Sequence, residues 1–351
     1  FADQITSTLR QFSTIPSIEV AKFFVKLMDS LLQILVDSAR DTTHQLVYIA
    51  ILILLCMKPN KAGFVNYKQV VREYVSQRNL PDSCHRQLCN ELTFYLSYVD
   101  SAKNSSLCTM SVQAFDLVLE LILRSRKLFL SSRSNLEQDY FKPEISKVLD
   151  CFCGFMLRDK PDWVVGSQVR GILTFIELFA TNLNEVFTPM ELGIFVKKFV
   201  ESVTGSYVRS YLTIPKLTLV VRLVKSPLLM EPEARPVLIK SIVQCLELHL
   251  VTATGDEFEL CLGAISSLIH RLQVDVSEDD REAALWEVVP ILPCLVQLCG
   301  EDRFSQLSFD RTRLYTCIFA LFLIVPDLDF EEVLSTTSEK VSEQLTFLKK
   351  T

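Results

Sequence analysis

The histidines and cysteines are the residues that could bind a metal or act in catalysis, and their sequence spacing indicates whether they do. Cys84, His85 and Cys89 lie close together and carry the atom types that bind zinc. A zinc site normally takes four ligands in paired spacings. No second pair lies at a fitting distance, and Cys108 alone does not supply one. We therefore interpret these side chains as packing residues.

The other cysteines favour the same interpretation. Cys151 and Cys153 point to different sides of a helix, and Cys294 and Cys299 flank an apolar turn. The chain has eleven cysteines, an odd number scattered through apolar stretches. That pattern is typical of thiols in a reducing compartment and not of a disulfide framework. We predict no metal and no cofactor.

A catalytic histidine needs an acid or a nucleophile held close to it. The four histidines are His44, His85, His249 and His270. His249 continues the apolar stripe of Ile242, Cys245 and Leu246, which favours a position at the edge of a core. The chain has no GxGxxG, Walker, GxSxG or HExxH motif. An all-α enzyme with His85 or His249 as base is thus the least favoured of three hypotheses.

Basic residues form the one candidate binding surface. They are Arg124, Arg126, Lys127 and Arg133, with Arg222 and Lys225 further along the chain. They fit either a solvated helix face or a docking patch for an acidic partner or a lipid headgroup. The net charge of −6 and the pI of about 5.4 argue against nucleic acid as the ligand.

The elements that must position these residues are helices. Only nine of 351 residues are glycine, against about 7% in average proteins. Because hairpin turns and phosphate-binding loops need glycine for positive φ, we expect few of either. Hydrophobic residues make up 49% of the chain. The longest apolar run, Leu46 to Met57, is nevertheless shorter than the roughly 18–20 residues that a bilayer needs.

Apolar periodicity and stop signals predict fourteen helices. Leu192, Phe195, Val196, Phe199, Val200 and Val203 share one face. Thr188, Pro189 and Glu191 predict a capping box before that helix. The predicted ranges are 17–40, 42–57, 66–77, 83–99, 111–130, 143–157, 165–184, 188–203, 213–225, 235–250, 256–273, 279–299, 310–325 and 330–349.

The predicted helix starts repeat in the middle of the chain. Those near 143, 188, 235 and 279 recur at the HEAT/armadillo spacing of about 40–47 residues. We predict an all-α fold, an armadillo/HEAT-like α-solenoid of stacked helical hairpins, forming one elongated repeat domain over 1–351. A compact irregular bundle is the alternative. Because the chain starts at Phe1, we expect it to be an excised piece of a larger protein.

Four blocks carry a resemblance to a known family. They are QLVYIAILILLCM at 45–57, AFDLVLELILRSRKLF at 114–129, VRGILTFIELFATNLNEVFTPMELGIFVKKFV at 169–200 and LTIPKLTLVVRLVKSPLL at 212–229. In this order they resemble the helical middle region of the dedicator-of-cytokinesis (Dock) family, in particular its Rac-directed branch. The resemblance covers roughly residues 20–300 and is weaker at 1–15 and 300–351. The stretch Thr204 to Tyr211 is longer than the family pattern.

The resemblance implies a part of a large cytoplasmic guanine-nucleotide exchange factor for Rac-type GTPases. In that family a C2-like module that binds phosphoinositide precedes the helical region and a separate exchange domain follows it. The resemblance also implies an engulfment-and-motility (ELMO) scaffold as partner, recruitment to the plasma membrane and a homodimer formed through a domain outside this region. No exchange residue matches a position here.

The favoured hypothesis is a non-catalytic scaffold that spaces the lipid-binding and exchange domains and offers a partner surface. The alternative is an unrelated HEAT/armadillo adaptor with different partners.

Overall fold

The computed structural model of the chain describes residues 2–57, 67–78, 80–81, 83–97, 102–132, 138–158, 162–178, 182–203, 209–299 and 308–323. Every regular element within these ranges is a helix, and none of the described residues is in a strand. The all-α prediction is therefore confirmed. The predicted helix at 330–349 lies outside the described residues.

The chain divides into two compact units, Phe1–Val186 and Phe187–Thr351. The N-terminal unit contains α1 (Ala2–Gln11), α2 (Ser17–Lys22), α3 (Phe24–Asp37), α4 (Asp41–Cys56), α5 (Tyr67–Gln77), α6 (Cys84–Ser97), α7 (Ala102–Gln113), α8 (Phe115–Ser132), α9 (Gln138–Met156) and α10 (Asp162–Leu178). The C-terminal unit contains α11 (Pro189–Ser202), α12 (Arg209–Lys225), α13 (Arg235–Leu250), α14 (Asp256–Asp275), α15 (Glu278–Trp286), α16 (Leu292–Cys299) and α17 (Ser308–Phe322). Short 3₁₀ turns lie between some of these helices, among them Asn182–Glu185 and Val289–Ile291.

Helices of the N-terminal unit pack against the helix three positions later. The pairs are α1 with α4, α3 with α6, α4 with α7, α5 with α8, α6 with α9, and α7 with α10. Helix α6 also contacts α4, α7 and α8, so it lies at the centre of this unit. Helices two positions apart also pack in this unit, namely α4 with α6, α6 with α8 and α8 with α10. Each central helix therefore contacts neighbours at both offsets.

Helices of the C-terminal unit pack against the helix two positions later. The pairs are α11 with α13, α12 with α14, and α13 with α15. Helix α14 then contacts α17, which keeps the same offset if α15 and α16 are counted as one interrupted helix. Helices α11 and α13 start at Pro189 and Arg235, as the repeat spacing predicted. A two-helix repeat is the HEAT arrangement.

The largest error in the predicted helices concerns α7. The predicted ranges leave 100–110 between two helices, yet α7 begins at Ala102. Its residues are small and polar, with weak helix propensity, but Cys108, Ser111 and Val112 are fully buried. Packing against α4 and α10 therefore overrides local propensity.

Several other elements differ from prediction. Helix α1 was not predicted, the range 17–40 breaks at Phe23, and the range 279–299 is two helices. Pro290 and Pro293 explain the last break, because each removes a backbone donor and disfavours a helical residue before it.

The range 111–130 was predicted as one helix, but it covers the end of α7 and most of α8, which meet at a 66° bend. Helix α9 begins five residues before the predicted 143, so Pro143 lies inside it. Along α8, Phe115, Val118, Leu119, Leu121 and Ile122 are all fully buried.

The capping box before α11 is present. The Glu191 backbone N–H donates to Thr188 Oγ1 at 3.3 Å, and the Thr188 N–H donates to Glu191 Oε2 at 2.9 Å. Along the predicted stripe Val196, Phe199, Val200 and Val203 are buried, whereas Leu192 and Phe195 are only half-buried. The start of this stripe lies at the margin of the core.

Several helix ends are capped by side chains of other helices. The last carbonyls of a helix lack partners in their own helix, and glycine in a left-handed conformation often supplies the cap. Among the described residues only Ser83 and Gly255 have positive φ. Instead, long polar side chains donate to these carbonyls: Lys216 to Val203 O at 3.0 Å, Arg271 to Val224 O at 3.0 Å, and Arg158 to Ser97 O at 2.7 Å. Cross-helix capping therefore replaces glycine.

Within the described part of the chain, no single helix combines the length and apolar character of a membrane span. The pair Ser105–Gln113 and Phe115–Ser131 meets those criteria only when joined across its 66° bend.

Candidate functional site

The candidate site lies where α6, α8 and the start of α9 meet. His85, in the first turn of α6, is 1% exposed. Its ring packs edge-on against Phe129 and Phe141, with centroid distances of 5.4 and 5.7 Å. The sequence-predicted packing role of His85 agrees with this position.

Ser125 joins the start of α6 to α8. Its hydroxyl accepts from the His85 backbone N–H at 3.2 Å and lies 3.3 Å from the Pro81 carbonyl oxygen and 3.4 Å from His85 Nδ1. The one hydroxyl proton is shared between these last two acceptors. Ser125 therefore ties the backbone and the buried ring of His85 to α8.

The charge state of His85 follows from its surroundings. Burial, together with the nearby cations Arg126 and Arg86, lowers the pKa of His85 to about 4. The ring is neutral at pH 7, and Nε2 finds no hydrogen-bond partner among the described residues. His249, in the C-terminal unit, has the same properties: burial and the nearby Lys216 lower its pKa to about 4.

The remaining sequence candidates lie apart from this site. His44 Nε2 contacts Ser38 O at 2.7 Å at the end of α3, and His270 is exposed. Cys84, Cys89 and Cys153 are buried cysteines, and the Cys299 side chain lies outside the described residues. In the described ranges, no three His, Cys, Asp or Glu residues come together to hold a metal ion.

Arg126 is the unexpected residue of the site. Sequence analysis placed it in a basic surface group, yet it is only 5% exposed. Its guanidinium lies over Phe129 at 5.3 Å and over Phe141 at 5.2 Å from the ring centroids. Arginine between two aromatic faces is held by cation–π attraction and by packing of its stem.

The other basic candidates have different surroundings. Arg124 donates to the Val75 carbonyl near the end of α5, and exposed Lys127 pairs with Glu185 at 3.0 Å. Arg133 lies outside the described residues. Arg222 and Lys225 are exposed in the last turn of α12, in the C-terminal unit, where positive charge favours the helix dipole.

A cleft in the N-terminal unit opens beside Arg126 and has a volume of about 250 Å³. Its charged lining is Arg126, Lys127, Lys142 and Glu185, and its apolar lining is Leu123, Leu130, Phe141 and Val186. We call these eight residues the basic cleft. It lies between α8, the first turns of α9 and the end of the 3₁₀ turn Asn182–Glu185.

Sequence analysis named only two of the eight residues of the basic cleft, Arg126 and Lys127. Phe141, Lys142 and Glu185 were missed, since they reach the site through packing of α8 with later elements of the chain. No local spacing carries that information.

A second buried ionisable group was also missed. Glu91 on α6 is 8% exposed, and its Oε2 finds no partner among the described residues. Burial, together with the nearby carboxylate of Asp41, raises the pKa of Glu91 to about 7. Tyr48 and Tyr95 are the other titratable neighbours, and the Glu91 charge contributes to raising the pKa of each.

Comparisons with known proteins agree on one family. A family model described as the Dedicator of cytokinesis (DOCK) TPR region matches residues 1–351. Mouse Dedicator of cytokinesis protein 4 is 20% identical over 353 residues, covering 96% of this chain and 18% of the relative. Human Dedicator of cytokinesis protein 3 is 21% identical over 358 residues, covering 97% and 17%. The chain thus spans less than a fifth of the length of these relatives.

Proposed function

This chain belongs to the family of the dedicator-of-cytokinesis TPR region, and from that membership we propose that it is a non-catalytic helical scaffold within a Dock-type guanine-nucleotide exchange factor. The observation that carries the proposal is the family match over all of residues 1–351. The stacked helices of both units are the kind of framework that such a role needs.

The buried ionisable groups support a structural role. His85 is neutral and packed between aromatic rings, and Lys216 donates to the carbonyl at the end of α11. Each of these groups has a function in packing or capping. This is the distribution expected of a scaffold whose chemistry is performed elsewhere in the protein.

In the full-length protein, we propose, the scaffold sets the separation between a phosphoinositide-binding module and an exchange domain that acts on a Rac-type GTPase. An ELMO-type scaffold would be a partner of the whole protein, and a domain outside this chain would form the homodimer. The protein would act in the cytoplasm and be recruited to the plasma membrane. These assignments follow from the family.

A nucleotide-release assay tests the non-catalytic role. The purified 351-residue chain is mixed with Rac loaded with a fluorescent GDP analogue, and release is followed over a range of chain concentrations. We expect the intrinsic rate at every concentration. Acceleration that rises with concentration would contradict the proposal.

A replacement in the full-length protein tests the spacing role. The chain is exchanged for a flexible Gly/Ser linker, whose end-to-end distance is broadly distributed. We expect exchange on GTPase in solution to persist and the extra acceleration on phosphoinositide vesicles to be lost. A matched control carries an unrelated helical-repeat array of similar length and should retain part of that acceleration. Equal acceleration by wild type and the linker variant would contradict a spacing role.

A further inference from the structure

We propose that the basic cleft is a docking site for a partner peptide that presents an acidic side chain beside an apolar one. The inference deepens the proposed scaffold function, since it assigns a partner chemistry to one surface of the N-terminal unit. It is tested by peptide binding, whereas the proposed function is tested by nucleotide release, so the failure of one test is distinguishable from the failure of the other.

The first argument is charge. Among the residues that the structure describes, three cations and one carboxylate line the cleft, whereas the whole chain has a net charge of −6. The carboxylate is that of Glu185, which is 3.0 Å from Lys127 Nζ. Both side chains are about half-exposed or more, and exposed pairs of this kind contribute little to stability. A partner carboxylate can therefore take the place of Glu185 at small cost.

The second argument is the rigidity of Arg126. Its guanidinium is fixed between Phe129 and Phe141 before any ligand arrives. A side chain that is already ordered loses little entropy on binding, which improves affinity. Arginine held in a desolvated setting is also a common energetic anchor of protein interfaces, and its hydrogen bonds to carboxylates are among the stronger ones.

The third argument concerns size and lining. The cleft volume of about 250 Å³ is below the roughly 300–1,000 Å³ typical of sites for small organic ligands. Leu123, Leu130, Phe141 and Val186 supply an apolar wall beside the cations. This combination suits one or two side chains of a peptide. A lipid headgroup would use the cations and leave the apolar wall unused.

The test measures binding of a fluorescein-labelled peptide with alternating aspartate and leucine, flanked by serines, by fluorescence anisotropy at about 0.15 M salt, where distant charges are screened. We expect Lys142→Glu to weaken binding at least tenfold. Lys142 lies in the second turn of α9, near the N-terminal end where a carboxylate is favoured, so the variant should remain folded. Far-ultraviolet circular dichroism checks this.

Two further variants sharpen the result. Lys147→Glu makes the same charge change at an exposed position of α9 outside the cleft and should bind as wild type does. Glu185→Gln removes the competing carboxylate and should tighten binding about threefold. Equal weakening by the Lys142 and Lys147 variants would overturn the proposal, as would weaker binding by Glu185→Gln.

A peptide with lysine in place of aspartate should not bind. Phosphatidylserine vesicles provide the remaining control. If the chain binds these vesicles through Lys142 and does not bind the acidic peptide, the surface is a membrane contact and the peptide proposal is wrong.

Discussion

The two units of this chain solve the same packing problem with different repeats. In the N-terminal unit, helix follows helix in groups of three, so α4 packs on α7 and α7 on α10. In the C-terminal unit the group has two members, so α11 packs on α13 and α12 on α14. The comparison shows that packing three positions apart recurs along the N-terminal unit in addition to packing two positions apart, so the pattern of one unit cannot be carried over to the other.

The largest expected effect tests whether the two cores are equally tight. Phe152 in the N-terminal unit stacks on Phe115 with centroids 4.2 Å apart, and Phe199 in the C-terminal unit is likewise fully buried. Replacing either by alanine should lower the free energy of unfolding by about 3–5 kcal/mol. Urea denaturation followed by circular dichroism measures both.

Phe195→Ala is the matched control. Its side chain lies on the same stripe as Phe199 but is only half-buried, so we expect about 1–2 kcal/mol. A cost for Phe195→Ala equal to that of Phe199→Ala would mean that the margin of the C-terminal core is tighter than its exposure indicates.

The next effect concerns cross-helix capping. Lys216→Met leaves the buried Val203 carbonyl without its donor, which should cost about 2 kcal/mol. Arg124→Met, the counterpart in the N-terminal unit, removes a donor to Val75 O from a half-buried position and should cost about 1 kcal/mol. Thermal unfolding compares the two. Lys240→Met, at an exposed position of α13, should change stability by less than about 0.5 kcal/mol.

A smaller effect separates the units by pH. Glu91 has a folded pKa of about 7 against 4.5 when free, so its protonated form favours the folded state. This contribution is complete below pH 4.5 and disappears as the pH rises through 7. The free energy of unfolding of Glu91→Gln should therefore exceed that of wild type by about 1–2 kcal/mol at pH 8 and by little at pH 4.5. The figure at pH 8 includes a reduction for partial solvent screening of the carboxylate.

Glu247 on α13 gives the comparison in the C-terminal unit, since burial alone raises its pKa. Glu247→Gln should show the same sign with a smaller difference between the two pH values. The lowered pKa values of His85 and His249 reduce the stability of the fold as the pH falls below 6.5, which is opposite to the effect of Glu91. The quantity to compare between pH values is therefore the difference in unfolding free energy between variant and wild type. A pH-independent effect of Glu91→Gln would contradict this assignment.

The smallest effect removes the capping box of α11. Thr188→Ala should lower stability by about 1 kcal/mol, because the Glu191 N–H loses its acceptor. Thr218→Ala, on the exposed side of α12, should stay within about 0.5 kcal/mol of wild type. Equal effects of both variants would mean that the box adds nothing to the first turn of α11.

The sequence predicted those parts of the fold that local signals define. The capping box at Thr188, the buried part of the stripe on α11 and the start of α13 were all predicted, since caps and 3.6-residue periodicity act over a few turns. Helix α7 was not, because its small polar residues are helical only through contacts with α4 and α10. Without α7 the three-helix repeat was invisible.

The site was predicted less well than the fold. His85 was correctly interpreted as a packing residue, and Lys127 as exposed. Arg126 was placed on a surface, since nothing in the spacing of α8 indicates that Phe141 covers it. The location of a cation between two aromatic rings depends on which helices meet, and that is decided by the whole unit.

Cross-helix capping also affects how the chain can fold while it is being synthesised. The Val75 carbonyl at the end of α5 is capped by Arg124, which is 49 residues later in the chain. The Val224 carbonyl at the end of α12 is capped by Arg271, which is 47 residues later. A nascent chain emerging from the ribosome therefore exposes each unfinished helix end until the later segment has been made. Translation arrested between a helix and its capping residue should leave a nascent chain that proteases cleave readily. Translation arrested after the capping residue has emerged should leave a nascent chain that resists cleavage.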